Sequence, residues 1–369
     1  MRVEAISGFG VKGPAAFLVE IDGRRLLLDC GEGPDNKRRP DLSGIGTLDA
    51  VLVSHGHLDH IAALDLVPPE VPVFMTALVH DLAGDTLTRP TSALPLRGMA
   101  DILGLRVTTG RNGHAPGGVW LHIADAAANE SLLYTGDVSR ESALYPFDMP
   151  PPATLAIVDA SYGDYDEPLD IGAAKLVAMA GEGPLLLPAP ADGRGLEMAV
   201  VLARSGAHVR LCPAHRHIAE AVIAAEDEVL TAHGRAALAG MLSNAGPLDA
   251  GAAPEGVMIV AKPALGSGLG RELAVKWRDE PSVRIAFTGH VGSGTLAAEL
   301  VGEGRASFVR WNVHPPLSDL KAVIAAIAAV EVLPAFLDRT KLPALYAALP
   351  QARFATSGVM ASVPESAPR

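Results

Sequence analysis

The chain has 369 residues, enough for one large domain or two of ordinary size. Hydrophobic residues make up 49% and aromatics only 4%, so Ala, Leu and Val must fill the core. The formal net charge of -12 excludes a broadly basic, nucleic-acid-coating surface, and bound divalent cations would offset part of the deficit. Cys30 and Cys212 are too few for a disulfide framework and fit a reducing, cytoplasmic compartment. The start, Met1 to Ile6, has no signal-peptide character, and no run reaches the roughly 18 apolar residues of a membrane span.

In chain order, residues 1 to 29 read as β-hairpins, with Phe17–Ile21 and Arg25–Asp29 flanking the turn Asp22-Gly23. Asp29 ends the second strand. An Asp there either accepts hydrogen bonds from loop N–H groups, sits behind a metal ligand, or is a plain turn residue. A polar loop, 34 to 48, precedes the buried strand Ala50–Val53. That strand runs into His55-Gly56-His57-Leu58-Asp59-His60, three imidazoles and a carboxylate in six residues. At this composition such a cluster arises by chance on the order of once in a thousand sequences. Imidazole and carboxylate are the ordinary ligands of Zn²⁺ and related cations. His55 and His57, two apart on a turning backbone, project to one side; Asp59 and His60 open a helix expected to reach Leu66. Two ligand pairs aimed at neighbouring points suggest two metals.

Val71–Thr76 reads as a strand and Ala77–Thr86 as a helix. Strands Leu103–Thr109, Val119–Ile123, Leu132–Thr135 and Leu155–Val158 come next, and Ala322–Val330 reads as a core helix. The loops at the strand ends carry Gly113-His114, Gly136-Asp137 and Asp159. Side chains from several strand ends meeting at one edge is how α/β sites are built. His215-Arg216-His217 repeats the His-x-His spacing without a nearby acid and reads as a surface feature. Residues 353 to 369 end in a Pro/Ser-rich segment expected to be disordered.

The order Asp29, His55-x-His57-x-Asp59-His60, Gly113-His114 and Thr135-Gly136-Asp137 resembles the metallo-β-lactamase-fold hydrolases. Asp159-Ala160-Ser161-Tyr162-Gly163 is similar to the Glu-Ser-Thr-Tyr-Gly motif of their β-CASP branch, and Pro184 to Glu197 to that branch's Phe-Ala-x-Gly-Arg segment. Thr288-Gly289-His290 through Gly294-Thr295 to Leu300 and Val313-His314-Pro315 are similar to its closing motifs. The resemblance implies an α/β fold, an αββα sandwich with an inserted α/β β-CASP cap. The corresponding boundaries are 1–180 for the first part of the sandwich, 181–298 for the cap and 299–369 for the closing part.

By the same resemblance, His55, His57 and His114 hold one cation, and Asp59, His60 and His314 hold another. Asp137 bridges them, and Asp159 orients His314 or relays a proton. The implied cofactors are two divalent metal ions, zinc with manganese as the alternative. Asp59, Asp159 and His314 carry catalysis, and Arg194 binds substrate. The implied reaction is hydrolysis of RNA, less readily DNA, by a metal-activated water. A hydrolase of a small ester, thioester or lactone, or a weakly active RNA-processing partner protein, stands as the alternative. No membrane partner is expected, and a homo-oligomer stays open. One departure concerns the site: Val332-Leu333-Pro334-Ala335-Phe336 stands where RNA-directed members carry a further His-Gly-Glu.

Overall fold

The computed structural model describes residues 1–35, 37–125, 129–225 and 227–362. The chain divides into two compact units. The first comprises Met1–Arg140, Phe147–Asp166 and His314–Arg369; the second comprises Glu141–Pro146 and Glu167–Val313.

The first unit is built from two mixed sheets. One runs in the order Val359–Ala361, Arg2–Ser7, Ala16–Ile21, Arg24–Leu28, Ala50–Leu52, Val73–Thr76, Ser92–Leu94. The other runs Glu331–Ala335, Leu155–Asp159, Glu130–Tyr134, Val119–Asp125, Leu105–Arg111, Gly98–Ile102. Side chains alternate along each strand, so each strand feeds two cores. Phe17, Val19, Leu26, Leu28 and Leu52 join Val107, Leu121, Ile123, Leu132 and Ile157 in the shared interior between the sheets. Leu18, Leu27, Val51 and Val53 face the other way, against Ile61, Leu64 and Val79. Leu133, Ala156 and Val158 likewise meet Leu320, Val323, Ile327 and Leu345 on helices Leu317–Ile327 and Leu342–Ala348. Helices therefore cover both outer faces, the αββα arrangement. Large aliphatic and aromatic side chains, each stabilising by roughly 1.5–3 kcal/mol when buried, fill the interior despite the low aromatic content.

Several expected elements are trimmed. The helix after the histidine cluster is only Leu58–Ile61; Ala63 leaves helical geometry, and a separate 3₁₀ turn, Leu64–Leu66, comes after it. The late helix stops at Ile327 because Ala328 turns left-handed, φ 50°. Part of the segment expected to be disordered is structured: Val359–Ala361 pairs antiparallel with Arg2–Ser7. Residues 363–369 lie outside the described residues.

The second unit holds a six-stranded, all-parallel sheet ordered Gly246–Pro247, Val209–Leu211, Val257–Val260, Leu185–Pro188, Arg284–Phe287, Ser307–Phe308. Its strands are short apolar runs such as Leu185-Leu186-Leu187, as expected when both faces are covered. The unit extends beyond the expected 181–298. Helix Leu169–Gly181 lies with it, Gly172 fitting so closely that an added Cβ would stand 2.1 Å from the Arg310 carbonyl oxygen. Strand Ser307–Phe308 completes the sheet edge. The chain re-enters the first unit at His314.

Candidate metal centre

Strand Ala50–Leu52 is buried on both faces and pairs in parallel with Arg24–Leu28 and Val73–Thr76. Ser54 to His57 leave regular structure, and three backbone bonds pin the turn from Leu58 to His60. Ala15 N–H donates to the Asp59 carbonyl at 2.9 Å, Cys30 N–H to that of His60 at 2.8 Å, and Glu32 N–H to that of Leu58 at 3.0 Å. Gly31 permits this approach: a Cβ there would stand 1.7 Å from the Asp59 carbonyl oxygen.

The other loops are fixed as tightly. His114 comes after Gly113 (φ 69°), where a Cβ would meet the Ser139 carbonyl oxygen at 2.0 Å, and its N–H donates to Asn112 Oδ1 at 3.0 Å. Asp137 comes after Gly136 (φ 55°), which packs directly on Ser54. Asp159 is fully buried and accepts from Val138 N–H at 3.1 Å and from Ser161 Oγ at 2.6 Å. His314 Nδ1 lies 2.8 Å from Asp159 Oδ2, and its ring stands edge-on to Tyr162.

Three groups result, each with donor atoms within 4.8 Å of one another: His55, His57, His114 and Asp137; Asp59, His60 and Asp137; Asp137, Asp159 and His314. Asp137 is common to all three. His57 Nδ1 lies 3.2 Å from His55 Nε2 and 3.0 Å from His114 Nε2. Asp137 Oδ2 lies 3.6 Å from His114 Nε2, 3.9 Å from His55 Nε2 and 3.7 Å from His314 Nδ1. His60 Nε2 stands 3.4 Å from Asp137 Oδ1, a buried oxygen with no closer polar partner among the described residues. His314 groups with Asp137 and Asp159, and Asp137 is also the member it has in common with Asp59 and His60, the pair the resemblance joins it to. Ring nitrogens that close on one another repel unless a proton or cation lies among them. The donor set fits divalent cations on that ground as well as by ligand type.

Burial and neighbouring charges pull the groups apart. Burial, with the like charges of His60 and His57, holds His55 well below the usual imidazole range. Burial alone would lower His60 too, but the Asp137 and Asp29 carboxylates reverse that and hold it well above. Burial would raise the Asp137 carboxyl; His60 and His314 hold it well below its ordinary value. The site is therefore strongly polarised around one carboxylate.

Arg194 belongs to the second unit, where it opens helix Arg194–Arg204 and its Nε donates to Thr288 Oγ1 at 3.1 Å. His215, read as a surface residue, is fully buried in helix Pro213–Ala224. Its Nδ1 lies 3.2 Å from Cys212 Sγ and its Nε2 3.2 Å from the Pro190 carbonyl oxygen. Phe336, in the stretch where the resemblance expects a further His-Gly-Glu, packs its ring 5.3 Å from that of His60. Sequence reasoning passed over Ser54, Asn112 and Tyr134. Ser54 adjoins the cluster and was open to notice; nothing in the local sequence marks the other two.

Residues 10–178 match the Metallo-beta-lactamase superfamily. The chain is 30% identical over 179 residues to Ribonuclease TTHA0252 of Thermus thermophilus, an alignment covering 41% of each protein. It is 25% identical over 248 residues to Transcription termination factor FttA of Methanothermobacter thermautotrophicus, covering 54% of this chain and 39% of the relative. It is 26% identical over 251 residues to Endoribonuclease YSH1 of Kluyveromyces lactis, covering 55% of this chain and 33% of the relative. The chain thus spans between a third and about two fifths of the length of these curated relatives. A protein of unknown function from Enterococcus faecalis shares the fold over 96% of this chain and 97% of its own, with TM-score 0.62 and 16% identity. No helix among the described residues is long and apolar enough to cross a membrane.

Proposed function

We propose that this chain, a metallo-β-lactamase-fold protein of the β-CASP branch by its similarity to these relatives, is a divalent-metal-dependent hydrolase that cleaves RNA phosphodiester bonds. The observation that carries the reading is Asp137, a single buried carboxylate shared by three converging ligand groups. The names of the matched ribonuclease and endoribonuclease support RNA as the substrate. His55, His57, His114 and Asp137 are the proposed ligands of one cation, and Asp59, His60 and Asp137 of the second. Zinc suits the imidazole-rich first group, with manganese the alternative at the second, where carboxylates weigh more. Divalent cations held by these residues would activate a water and offset charge on the phosphate.

The chain's own residues do the rest. Asp159 fixes the His314 ring through Nδ1, which leaves Nε2 to hold a proton for the leaving oxygen. Ser161 and the Val138 N–H keep the Asp159 carboxylate in place. Phe336 beside His60 supplies no proton. Arg194 is proposed as a phosphate contact. Two buried, free cysteines support a reducing cytoplasm as the compartment.

The test is zinc- or manganese-loaded protein offered end-labelled single-stranded RNA, single-stranded DNA and a bis-aryl phosphate, with His57→Ala and Asp59→Ala as controls. Cleavage of RNA that both substitutions abolish supports the reading. Silence on all phosphodiesters together with turnover of a small ester or thioester overturns it.

A further inference from the structure

We propose that Asp29, Ser54 and Tyr134 form one buried relay that orients His55 and His60, two imidazoles belonging to two different ligand groups. The relay rests on the metal-binding reading above and deepens it. Asp29 ends strand Arg24–Leu28 with φ 57°, and its carboxylate is fully buried. Its Oδ1 accepts from Ser54 N–H at 2.7 Å. Its Oδ2 lies 2.7 Å from Ser54 Oγ, 2.7 Å from His60 Nδ1 and 2.5 Å from the Tyr134 hydroxyl.

Proton counting fixes the direction of each bond. A carboxylate only accepts, so the Ser54 hydroxyl, the Tyr134 hydroxyl and His60 Nδ1 must each present a hydrogen to Asp29. Ser54 has one hydroxyl hydrogen, and Asp29 takes it. Ser54 Oγ also lies 3.0 Å from His55 Nδ1, so there it can only accept, and His55 must carry its proton on Nδ1. Both rings are then of one tautomer, with Nε2 lone pairs turned away from the relay. Those are the atoms that face Asp137, at 3.9 Å from His55 and 3.4 Å from His60. Partners of this kind raise ligand basicity and lock ring orientation.

The surrounding structure is shaped for this contact. A Cβ on Gly136 would stand 2.6 Å from Ser54 Cβ and 2.7 Å from Ser54 Oγ, so glycine there lets the Asp137 loop close over the serine. The Ser54 carbonyl accepts from Val119 N–H at 2.8 Å, which holds the relay between the two sheets. Tyr134 is fully buried, its ring packed against Phe17, so its hydroxyl is aimed by the core itself. Ser54 and Tyr134 are positioning residues: both bond Asp29, and Ser54 also meets His55.

The experiment measures tautomers and zinc affinity, not turnover. In zinc-loaded protein with ¹⁵N-labelled histidine, His55 and His60 are expected to show the proton on Nδ1. Zinc affinity is read for each equivalent by competition with a chromophoric chelator. Ser54→Ala, which removes His55's own partner, is expected to weaken the equivalent held by His55 by about 10–100-fold and the one held by His60 by clearly less. Ser54→Thr is expected to restore it. Tyr134→Phe, acting on the shared carboxylate, is expected to weaken both equivalents by a similar factor of about ten or less. A proton on Nε2 of either histidine in the unsubstituted protein overturns the relay, whatever the variants do. So does failure to bind zinc, an unchanged Ser54→Ala protein, or one in which both equivalents fall alike. Normal zinc binding with the expected tautomers but no RNA cleavage would keep the relay and discard the ribonuclease reading.

Discussion

His55-Gly56-His57 in the first unit and His215-Arg216-His217 in the second share a spacing but not a backbone. The first pair lies on a turning loop between a strand and a short helix. There, residues two apart point the same way, and His55 Nε2 approaches His57 Nδ1 at 3.2 Å. The second pair lies inside helix Pro213–Ala224, where residues two apart diverge by more than half a turn. His215 is buried and bonded to Cys212 and Pro190, while His217 is exposed. Spacing alone does not make a ligand pair; the local backbone decides whether two lone pairs can meet.

The strongest test of that contrast removes the residue the three groups share. Asp137→Ala is expected to lower zinc content and RNA cleavage by more than the roughly 10–100-fold that losing an outer partner costs. Elemental analysis after dialysis and initial rates on labelled RNA would measure both. The equivalent truncation in the second unit, His215→Ala, is expected to leave zinc content intact and to cost roughly 2–3 kcal/mol of that unit's stability. Metal loss in the His215 variant would erase the distinction between the two pairs. Gly31→Ala sharpens it from another side. The new methyl would stand 1.7 Å from the Asp59 carbonyl oxygen, so the loop must move. The expected result is a loss of roughly 3–5 kcal/mol in denaturant unfolding together with poorer retention of the Asp59–His60 cation.

The same physics governs how much of the molecule was legible in its sequence. Candidate ligand residues stand out, because imidazole and carboxylate are rarely crowded without a reason, and strand ends are where they crowd. The turn Asp22-Gly23 marked the hairpin of Ala16–Ile21 and Arg24–Leu28 as readily. Residues that act through long-range approach did not. Tyr134 meets Asp29 across 105 positions, and no local pattern encodes that meeting. Gly31 looks like any turn glycine until Asp59 is folded against it. The unit boundaries near Glu167 and Val313 depend on which sheet a short edge strand such as Ser307–Phe308 joins, a matter of pairing rather than composition.

The smallest expected effect separates the two histidine pairs by pH. Burial pushes His215 down from 6.5 to about 4. The unfolded chain therefore takes up a proton on this ring near pH 6.5, and the folded chain resists doing so until about pH 4. Its share of stability is complete above pH 6.5 and is lost as pH falls toward 4. Each pH unit in that window removes about 1.4 kcal/mol, and the whole window on the order of 3 kcal/mol. Chemical denaturation of the full chain at pH 7.5 and pH 4.5 reads the slope, and His215→Gln, which cannot titrate, is the comparison. The substituted protein is expected to lose less stability between the two pH values, because the remaining acid sensitivity comes from other groups. Equal slopes would mean that water reaches the His215 ring, and that it is not held neutral between Cys212 and Pro190.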